Sequence, residues 1–284
     1  MIKSIDFTRT EQLNFLEKVK DNSKLSWEKI SNESGVTRSL LFAYKNRTYR
    51  MSLKNFIKLC KFAGIDQNSY NLKFYQSAKL QIKTPRLTAY LAEFLGVLAG
   101  DGHMNAVTHE VSITGHKEND SKYINETVYG FFETLFGLTP KIRIQNNAIR
   151  CWVYSKRLTS FISDTFGVPI GKKKNKIRIP DSIIKDKKLF MPYIRGLFDT
   201  DGSVYTHHGK DVMLEISSAS PDFRGDIAKC LTNMGFHPSN GVKNVRLYRQ
   251  NEVHDFFKII RPKNNKHLRR FELLKNQAAV VQTG

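Results

Sequence analysis

Two apolar segments of the chain end in the same Asp-Gly pair, and this duplication constrains the fold more than any other feature. The first reads FLGVLAGDGHM over residues 94–104, and the second reads IRGLFDTDGSV over residues 194–204. Small residues recur at helical spacing in both segments, and such residues allow two helices to approach closely. We therefore predict two helices packed along one interface. The residues predicted to form it are Gly96, Ala99, Gly100, Gly196, Asp199 and Thr200.

The two Asp-Gly pairs place acids where folding alone does not favour them. If the helices run parallel, Asp101 and Asp201 meet at their C-terminal ends. Each carboxylate then lies near the negative end of a helix dipole and near a second acid. The arrangement becomes favourable when a hard divalent cation is shared, and Mg²⁺ prefers oxygen ligands while keeping several waters. Because such a cation activates water and stabilises a leaving oxygen, the pattern predicts phosphodiester hydrolysis.

The segments downstream of each Asp-Gly pair repeat as well. Residues 111–137 and 214–236 each predict a strand, a polar break, an amphipathic helix and a glycine. Residues 140–155 and 241–250 each predict alternating strands, and a short helix follows in both copies. A repeat of this length predicts two similar units related by a pseudo-two-fold axis.

The N-terminal part of the chain predicts short helices instead. Ser26 is placed to cap one helix, Gly35 permits a tight turn, and Thr37 is placed to cap the next helix. The pattern resembles the helix-turn-helix of the phage repressor and Cro type, which implies that its second helix enters the major groove. The residues that would contact bases are Arg38, Ser39 and Asn46. An ordinary helical bundle is the alternative.

Composition narrows the class of partner. Lys and Arg number 46 against 26 Asp and Glu, so the net charge of +20 favours a nucleic-acid partner. No apolar run reaches the length of a membrane span, and residues 1–12 lack the apolar core of a signal peptide. We therefore expect a cytoplasmic protein with no membrane partner. Three widely separated cysteines indicate neither a zinc site nor a disulfide framework.

The paired segments resemble the two defining motifs of the LAGLIDADG homing endonuclease family, in its single-chain form. The resemblance covers about residues 87–275. It implies an α+β fold with two pseudo-symmetric αββαββα repeats and saddle-shaped antiparallel sheets, preceded by a small all-α helix-turn-helix domain. The expected divisions are a helix-turn-helix domain at 1–66, a linker at 67–86, repeat 1 at 87–190, repeat 2 at 191–275 and a tail at 276–284.

The resemblance also implies the metal site. The last acid of each motif, Asp101 and Asp201, would bind catalytic Mg²⁺, for which Mn²⁺ can substitute. Gly100 and Thr200, which precede these acids, are the further expected metal ligands. Ala99 occupies the position where the second motif has its first acid, and we interpret it as a tolerated departure, because that position serves helix-end packing in the family.

The family places a basic residue near each metal. Lys176 and Lys266 are the best matches, because the internal repeat aligns them with each other. They would polarise the attacking water or stabilise the transition state. Lys173, Lys174 and Lys263 remain alternatives.

The predicted strands alternate apolar and basic residues. Ile142, Ile144, Cys151 and Val153 are expected to pack under the helices, leaving the other face for DNA. A two-stranded ribbon fits the major groove, where Arg and Gln read base edges. The residues expected to contact DNA from the strands are Lys141, Arg143, Gln145, Arg150, Trp152, Tyr154, Tyr205, His207, Arg246 and Tyr248.

These features predict a monomeric, metal-dependent, site-specific endodeoxyribonuclease of the homing type. Its partner would be double-stranded DNA, cut on both strands within a long asymmetric target, as in intron homing. One alternative is a catalytically inactive transcription regulator that binds DNA on the same scaffold. Another is a maturase that binds a structured intron RNA. An intein is disfavoured, because residue 1 is not a splicing cysteine or serine and the last residues are not His-Asn.

Overall fold

The computed structural model describes residues 4–74, 82–207 and 211–283. The chain forms two compact units, Met1–Gln81 and Ile82–Gly284. The first unit is mainly helical. Its elements are α1 (Arg9–Ser23), α2 (Trp27–Ser34), α3 (Arg38–Lys45), α4 (Leu53–Ala63) and a 3₁₀ turn (Gln67–Ser69).

A three-residue turn joins α2 to α3. Gly35 adopts φ +66°, in the left-handed region that favours glycine, and Val36 is buried beneath the turn. The hydroxyl of Ser26 accepts a hydrogen bond from the backbone N–H of Lys29 at 3.3 Å, which confirms the predicted cap of α2. Thr37 occupies the N-cap position of α3, as predicted, but its hydroxyl accepts no capping hydrogen bond from a backbone N–H of the helix.

The second unit contains two successive αββαββα repeats, which confirms the predicted fold class. Repeat 1 comprises α5 (Ala89–Ala99), β1 (Gly102–Met104), β2 (Glu110–His116), α6 (Ser121–Tyr123), a π-helical segment (Ile124–Val128), α7 (Tyr129–Phe136), β3 (Lys141–Gln145), β4 (Ala148–Tyr154) and α8 (Lys156–Phe166). After the short helix α9 (Asp181–Ile184), repeat 2 comprises α10 (Lys187–Asp201), β5 (Gly202–His207), β6 (Asp211–Ser217), α11 (Pro221–Asn233), β7 (Ser239–Asn240), β8 (Asn244–Leu247), α12 (Gln250–Ile260) and α13 (Asn265–Thr283).

Both sheets are antiparallel and have the same strand order. The first runs β1-β2-β4-β3 and the second β5-β6-β8-β7. The register also corresponds, because Ser112 pairs with Trp152 in the first sheet and Glu215 pairs with Arg246 in the second. Because side chains alternate along a strand, Ser112 and Trp152 in the first sheet and Glu215 and Arg246 in the second lie on the face that the helices leave uncovered. We call this face of each sheet the groove face of its repeat.

Helices α5 and α10 run parallel and in direct backbone contact. A Cβ atom added at Gly96 would lie 2.0 Å from the carbonyl oxygen of Tyr193, and one added at Gly196 would lie 2.1 Å from that of Glu93. Farther along, a Cβ at Gly100 would lie 2.0 Å from Oγ1 of Thr200. The predicted interface of small residues is thus a seam of close backbone approach, and it brings the C-terminal ends of both helices together.

Two details differ from the sequence pattern. Ile144 was expected to be buried but is 58% exposed, because it lies on β3, the edge strand of its sheet. Helix α13 continues through the residues expected to form a tail and ends at Thr283. Within the described residues, none of the helices combines the length and the apolar content needed to cross a bilayer.

Candidate active site

Asp101 and Asp201 lie at the C-terminal ends of the two seam helices. Asp101 follows Gly100, the C-cap of α5, and Asp201 is the last residue of α10. Both side chains are partly buried. A Cβ at Gly100 would lie 3.3 Å from Cγ of Asp201, so the lack of a side chain at Gly100 leaves room for this carboxylate.

The two carboxyl groups influence each other electrostatically. Burial raises the pKa of Asp201 to about 7, and the charge of Asp101 acts in the same direction. Burial also raises the pKa of Asp101. The ammonium groups of Lys173 and Lys266 act in the opposite direction on both acids. Two acids and two lysines therefore form one charge cluster at the helix ends.

Lys173 binds the C-terminal end of α5. Its Nζ donates to the carbonyl oxygens of Leu98 at 3.1 Å, Ala99 at 2.8 Å and Gly100 at 2.5 Å. These carbonyls carry the negative end of the helix dipole, which a cation stabilises. Burial lowers the pKa of Lys173, while Asp201 and Asp101 favour its charged form.

Lys266 lies at the corresponding end of α10. Its Nζ is 3.4 Å from the carbonyl oxygen of Thr200 and 3.0 Å from Oδ1 of Asp120. Asp120 comes from repeat 1, so this ion pair joins the two repeats. Although burial acts to raise the pKa of Asp120, hydrogen bonds from Asn264 and from the backbone of His116 hold it below its ordinary value.

Asp199 is fully buried and organises the segment that carries Lys266. Its Oδ1 accepts hydrogen bonds from the backbone N–H groups of Lys263 and Asn264, both at 3.0 Å. The side-chain amide of Asn264 donates to Oδ1 of Asp120 at 2.7 Å and to the backbone carbonyl of Asp199 at 2.9 Å. Burial raises the pKa of Asp199 to about 7 against these hydrogen bonds. Ala99 provides no such contact in the first motif.

The structure places the predicted lysines differently. Lys266 lies at the helix end, whereas Lys176 is exposed in a turn. Lys173, one of the alternatives, lies at the end of α5, beside the site near which Lys176 was expected. The side chain of Thr200 donates to the carbonyls of Gly196 and Leu197 of its own helix, so its backbone carbonyl is the oxygen that faces the site.

The donor set fits Mg²⁺ better than a metal that needs a protein cage. Among the described residues, no group of three or more His, Cys, Asp or Glu side chains is arranged to hold a metal ion. Asp101 and Asp201 supply only carboxylate oxygens, and the carbonyls of Gly100 and Thr200 are the neighbouring backbone oxygens. Mg²⁺ is usually held by one or two carboxylates together with waters and substrate phosphates, and this donor set matches that pattern.

The groove face of repeat 1 is rich in exposed cations. Among the residues that were expected to contact DNA, Lys141, Arg143, Gln145 and Tyr154 are exposed on β3 and β4. Arg150 forms an ion pair with Glu110, and its guanidinium lies 5.6 Å from the ring centre of Trp152. Trp152 is itself partly buried.

The groove face of repeat 2 centres on a carboxylate instead. Oε2 of Glu215 accepts hydrogen bonds from Asn244 at 2.8 Å, from Tyr205 at 3.1 Å and from Arg246 at 3.1 Å. Tyr248 is exposed beside this network. The side chain of His207 lies outside the described residues.

The residues of α3 that were expected to contact bases are exposed. Arg38 lies with its guanidinium 5.8 Å from the ring centre of Phe42, and Oγ of Ser39 is 3.4 Å from Oγ1 of Thr37. Asn46 is exposed at the C-terminal cap of the helix.

Several residues of the site were not predicted from the sequence. Asp120, Asn264 and Glu215 bear on the charge cluster or on the groove face, but they lie outside the two motifs. An acid immediately before a helix, as Asp120 is before α6, is a weak signal for such a role. Asn264 precedes α13, where a capping side chain is common, and this signal could have drawn attention to it.

The match to a family model falls in the second repeat. Residues 191–272 match the family model of the LAGLIDADG-like domain. The replication factor C small subunit of Methanocaldococcus jannaschii is 30% identical over 148 residues, covering 51% of this chain and 7% of that protein. The NrdEB alpha subunit of ribonucleoside-diphosphate reductase from Bacillus subtilis is 26% identical over 168 residues, covering 55% and 15%. The chain thus spans a small part of the length of these relatives.

Two solved structures are also similar. I-DmoI in complex with DNA and Mn gives a TM-score of 0.44 at 17% identity, covering 62% of this chain and 97% of that one. The N-terminal LAGLIDADG domain of DUF199/WhiA gives 0.44 at 15% identity, covering 64% and 85%. The match of residues 191–272 to the LAGLIDADG-like family model supports the resemblance predicted for the second motif.

Proposed function

We propose that residues 82–284 form a metal-dependent endonuclease that cuts both strands of a specific duplex DNA site. The observation that carries this proposal is the meeting of Asp101 and Asp201 at the ends of two abutting parallel helices. Burial and mutual repulsion disfavour their charged forms, so the pair has a physical reason to exist where a divalent cation and a phosphate share the site.

Asp101 and Asp201 would hold the cation, and the carbonyls of Gly100 and Thr200 are the nearest backbone oxygens. A bound divalent cation supplies Lewis-acid chemistry, which lowers the pKa of the attacking water and stabilises the leaving oxygen. The ammonium groups of Lys173 and Lys266 at the helix ends would stabilise negative charge on the phosphate. Lys173 takes this role in place of Lys176.

The groove faces of the two sheets would bind the DNA. Exposed cations on β3 suit phosphates and guanine edges, and the hydrogen-bonded network around Glu215 presents both donors and acceptors. Because the two faces carry different residues, the expected target is asymmetric. The homing role and the monomeric state belong to this proposal.

A second candidate function is sequence-specific binding without cleavage. The exposed polar residues of α3 favour it, because α2 and α3 are joined by the short turn typical of a helix-turn-helix. In this case Arg38, Ser39 and Asn46 would read base edges, and the acids would be dispensable.

The experiment that separates the two is cleavage of a random duplex library with Mg²⁺, followed by sequencing of the cut ends. We expect the wild-type protein to cut a long site, and Asp101→Asn and Asp201→Asn to cut at least about a hundredfold more slowly. Both variants should bind the selected duplex with Ca²⁺ as well as the wild-type protein does. Asp222→Asn, which changes an exposed acid of α11, is the matched control and should cut normally. Mg²⁺-dependent cutting by Asp201→Asn would contradict the proposal.

A further inference from the structure

A cavity of about 580 Å³ lies beside the candidate active site. Three segments form its wall: the first turns of α13, the start of β5, and the segment between β2 and α6. We call it the α13 cavity. The residues of its lining that carry the argument are Glu118, Lys122, Ser203, Lys266, Arg269 and Arg270.

The charge of the α13 cavity is strongly positive. Lys122, Lys266, Arg269 and Arg270 face one acid, Glu118. Lys266 is paired with Asp120. Across the described parts of the chain, no ion pair within 4 Å involves the other three cations. With Lys266 paired, Lys122, Arg269 and Arg270 remain as three like charges beside one acid, and a bound anion would reduce their repulsion.

The position of the cavity connects it to the groove face. Gly202 and Ser203 follow directly after Asp201, so the cavity begins where the charge cluster ends. Oγ of Ser203 is 3.5 Å from Oε1 of Glu215, which puts Ser203 on the groove face of repeat 2. A strand of DNA lying over the active site would therefore pass the entrance of the cavity.

The chemistry of the lining selects a phosphate backbone. Arginine presents a planar fork that binds phosphate through two hydrogen bonds, and two arginines stand here in sequence. The cavity volume lies in the range of sites that bury a ligand larger than a single ion.

We propose that the α13 cavity binds the sugar–phosphate backbone of duplex DNA next to the cleavage site, with Arg269, Arg270 and Lys122 contacting phosphates. This site rests on the proposed function, because it needs DNA over the active site. It adds affinity that is independent of base sequence and depends on salt.

The test is the affinity of Arg269→Ala/Arg270→Ala for a non-specific duplex, measured by fluorescence anisotropy with Ca²⁺ over a range of salt concentrations. We expect binding about tenfold weaker near physiological salt. The slope of log Kd against log salt should fall by about two, since each phosphate contact contributes about 0.9. Arg269→Lys/Arg270→Lys keeps the charges and should recover most of the slope.

The matched control is Lys187→Ala/Lys188→Ala, which removes two positive charges at the start of α10. These lysines lie about 20 Å along the helix from Asp201. It should keep the wild-type slope. An unchanged slope in the arginine variant, or an equal fall in the control, would overturn the proposal. So would a loss of affinity confined to structured RNA.

Failure of the nuclease proposal can be distinguished from failure of the cavity proposal. Cleavage of the selected target is measured separately with Mg²⁺, whereas the salt slope reports binding alone. A protein that never cuts but shows the expected loss of slope keeps the cavity as a backbone site. Thermal unfolding of each variant checks folding, and no change is expected because both arginines are exposed.

Discussion

The two repeats share a backbone plan but differ in the chemistry of their groove faces. Strand order and register correspond in both sheets. Repeat 1 presents Lys141 and Arg143 as exposed cations, whereas repeat 2 surrounds the carboxylate of Glu215 with donors. The seam demands symmetry because backbone atoms touch there, but nothing in the packing demands it of exposed strand faces. Repeat 1 should therefore contribute more of the electrostatic attraction to DNA.

The helix ends show a second difference. Asp199 ties α10 to the segment before α13, and through Asn264 it reaches Asp120 of repeat 1. Ala99 leaves the equivalent position of α5 without such a tie, and Lys173 binds the helix carbonyls directly instead. The same task, placing a lysine at a helix end, is thus achieved in two ways.

The largest effect is expected from the feature that the repeats share. Gly96→Ala and Gly196→Ala would each push a Cβ into a backbone carbonyl of the other helix. We expect each to lower the free energy of unfolding by about 3 kcal/mol, through overpacking. Urea denaturation measures this loss. Gly225→Ala in α11, where a Cβ meets nothing within 4 Å, is the control and should be neutral or stabilising. If the seam variants behave like this control, the close approach is wrong.

Asp199→Ala should have the next largest effect. It leaves the buried N–H groups of Lys263 and Asn264 without their acceptor, which costs about 2 kcal/mol. Lys266 should also lose its fixed position, so nicking of at least one strand should slow. Denaturation and strand-specific nicking are the two readouts. Ala99→Gly serves as the matched change in repeat 1, and an equal loss of nicking in that variant would contradict the asymmetry.

A smaller effect should separate the groove faces. Arg143→Ala removes an exposed cation and should weaken duplex binding about tenfold, in the range of one good contact. Arg246→Ala should weaken it only about threefold, because its guanidinium is already paired with Glu215. Anisotropy at a single salt concentration compares them. Equal losses would show that both repeats contribute alike.

The smallest effect concerns pH. Because the pKa of Asp201 is raised from 3.8 to about 7, its contribution to stability is complete below 3.8 and is lost as pH rises through 7. Without divalent metal, the free energy of unfolding should therefore gain from acidification between pH 7 and about pH 5. Asp201→Asn should reduce this slope by up to about 1 kcal/mol per pH unit. Asp101→Asn should reduce it less, because burial is the main cause of the shift at Asp201. A slope unaffected by Asp201→Asn would refute the raised pKa.

Much of the fold could be predicted because it depends on local patterns. The spacing of Gly96 and Gly196 predicts close helix packing, and the Asp-Gly pairs predict where the helices end. Alternation in residues 140–155 predicts strands. Ile144 was misplaced because alternation does not say which strand lies at the edge of a sheet.

The details of the site were less accessible from sequence. Lys173 and Lys176 lie in one lysine-rich stretch with no periodicity, so only the folded chain shows which reaches α5. Asp120 and Asn264 are 144 residues apart and meet only because the repeats pack together. Contacts of this kind depend on tertiary approach, which local sequence does not encode.

The close backbone contacts at Gly96 and Gly196 have a mechanical consequence. Because the main chains touch at the seam, flexible side chains do not set the separation of the two carboxylates. The seam would then fix the distance between the two carboxylates. The backbone would therefore determine the offset between the cuts on the two DNA strands. A substitution that increases the distance between α5 and α10 should change where the strands are cut before it changes which sequence is recognised.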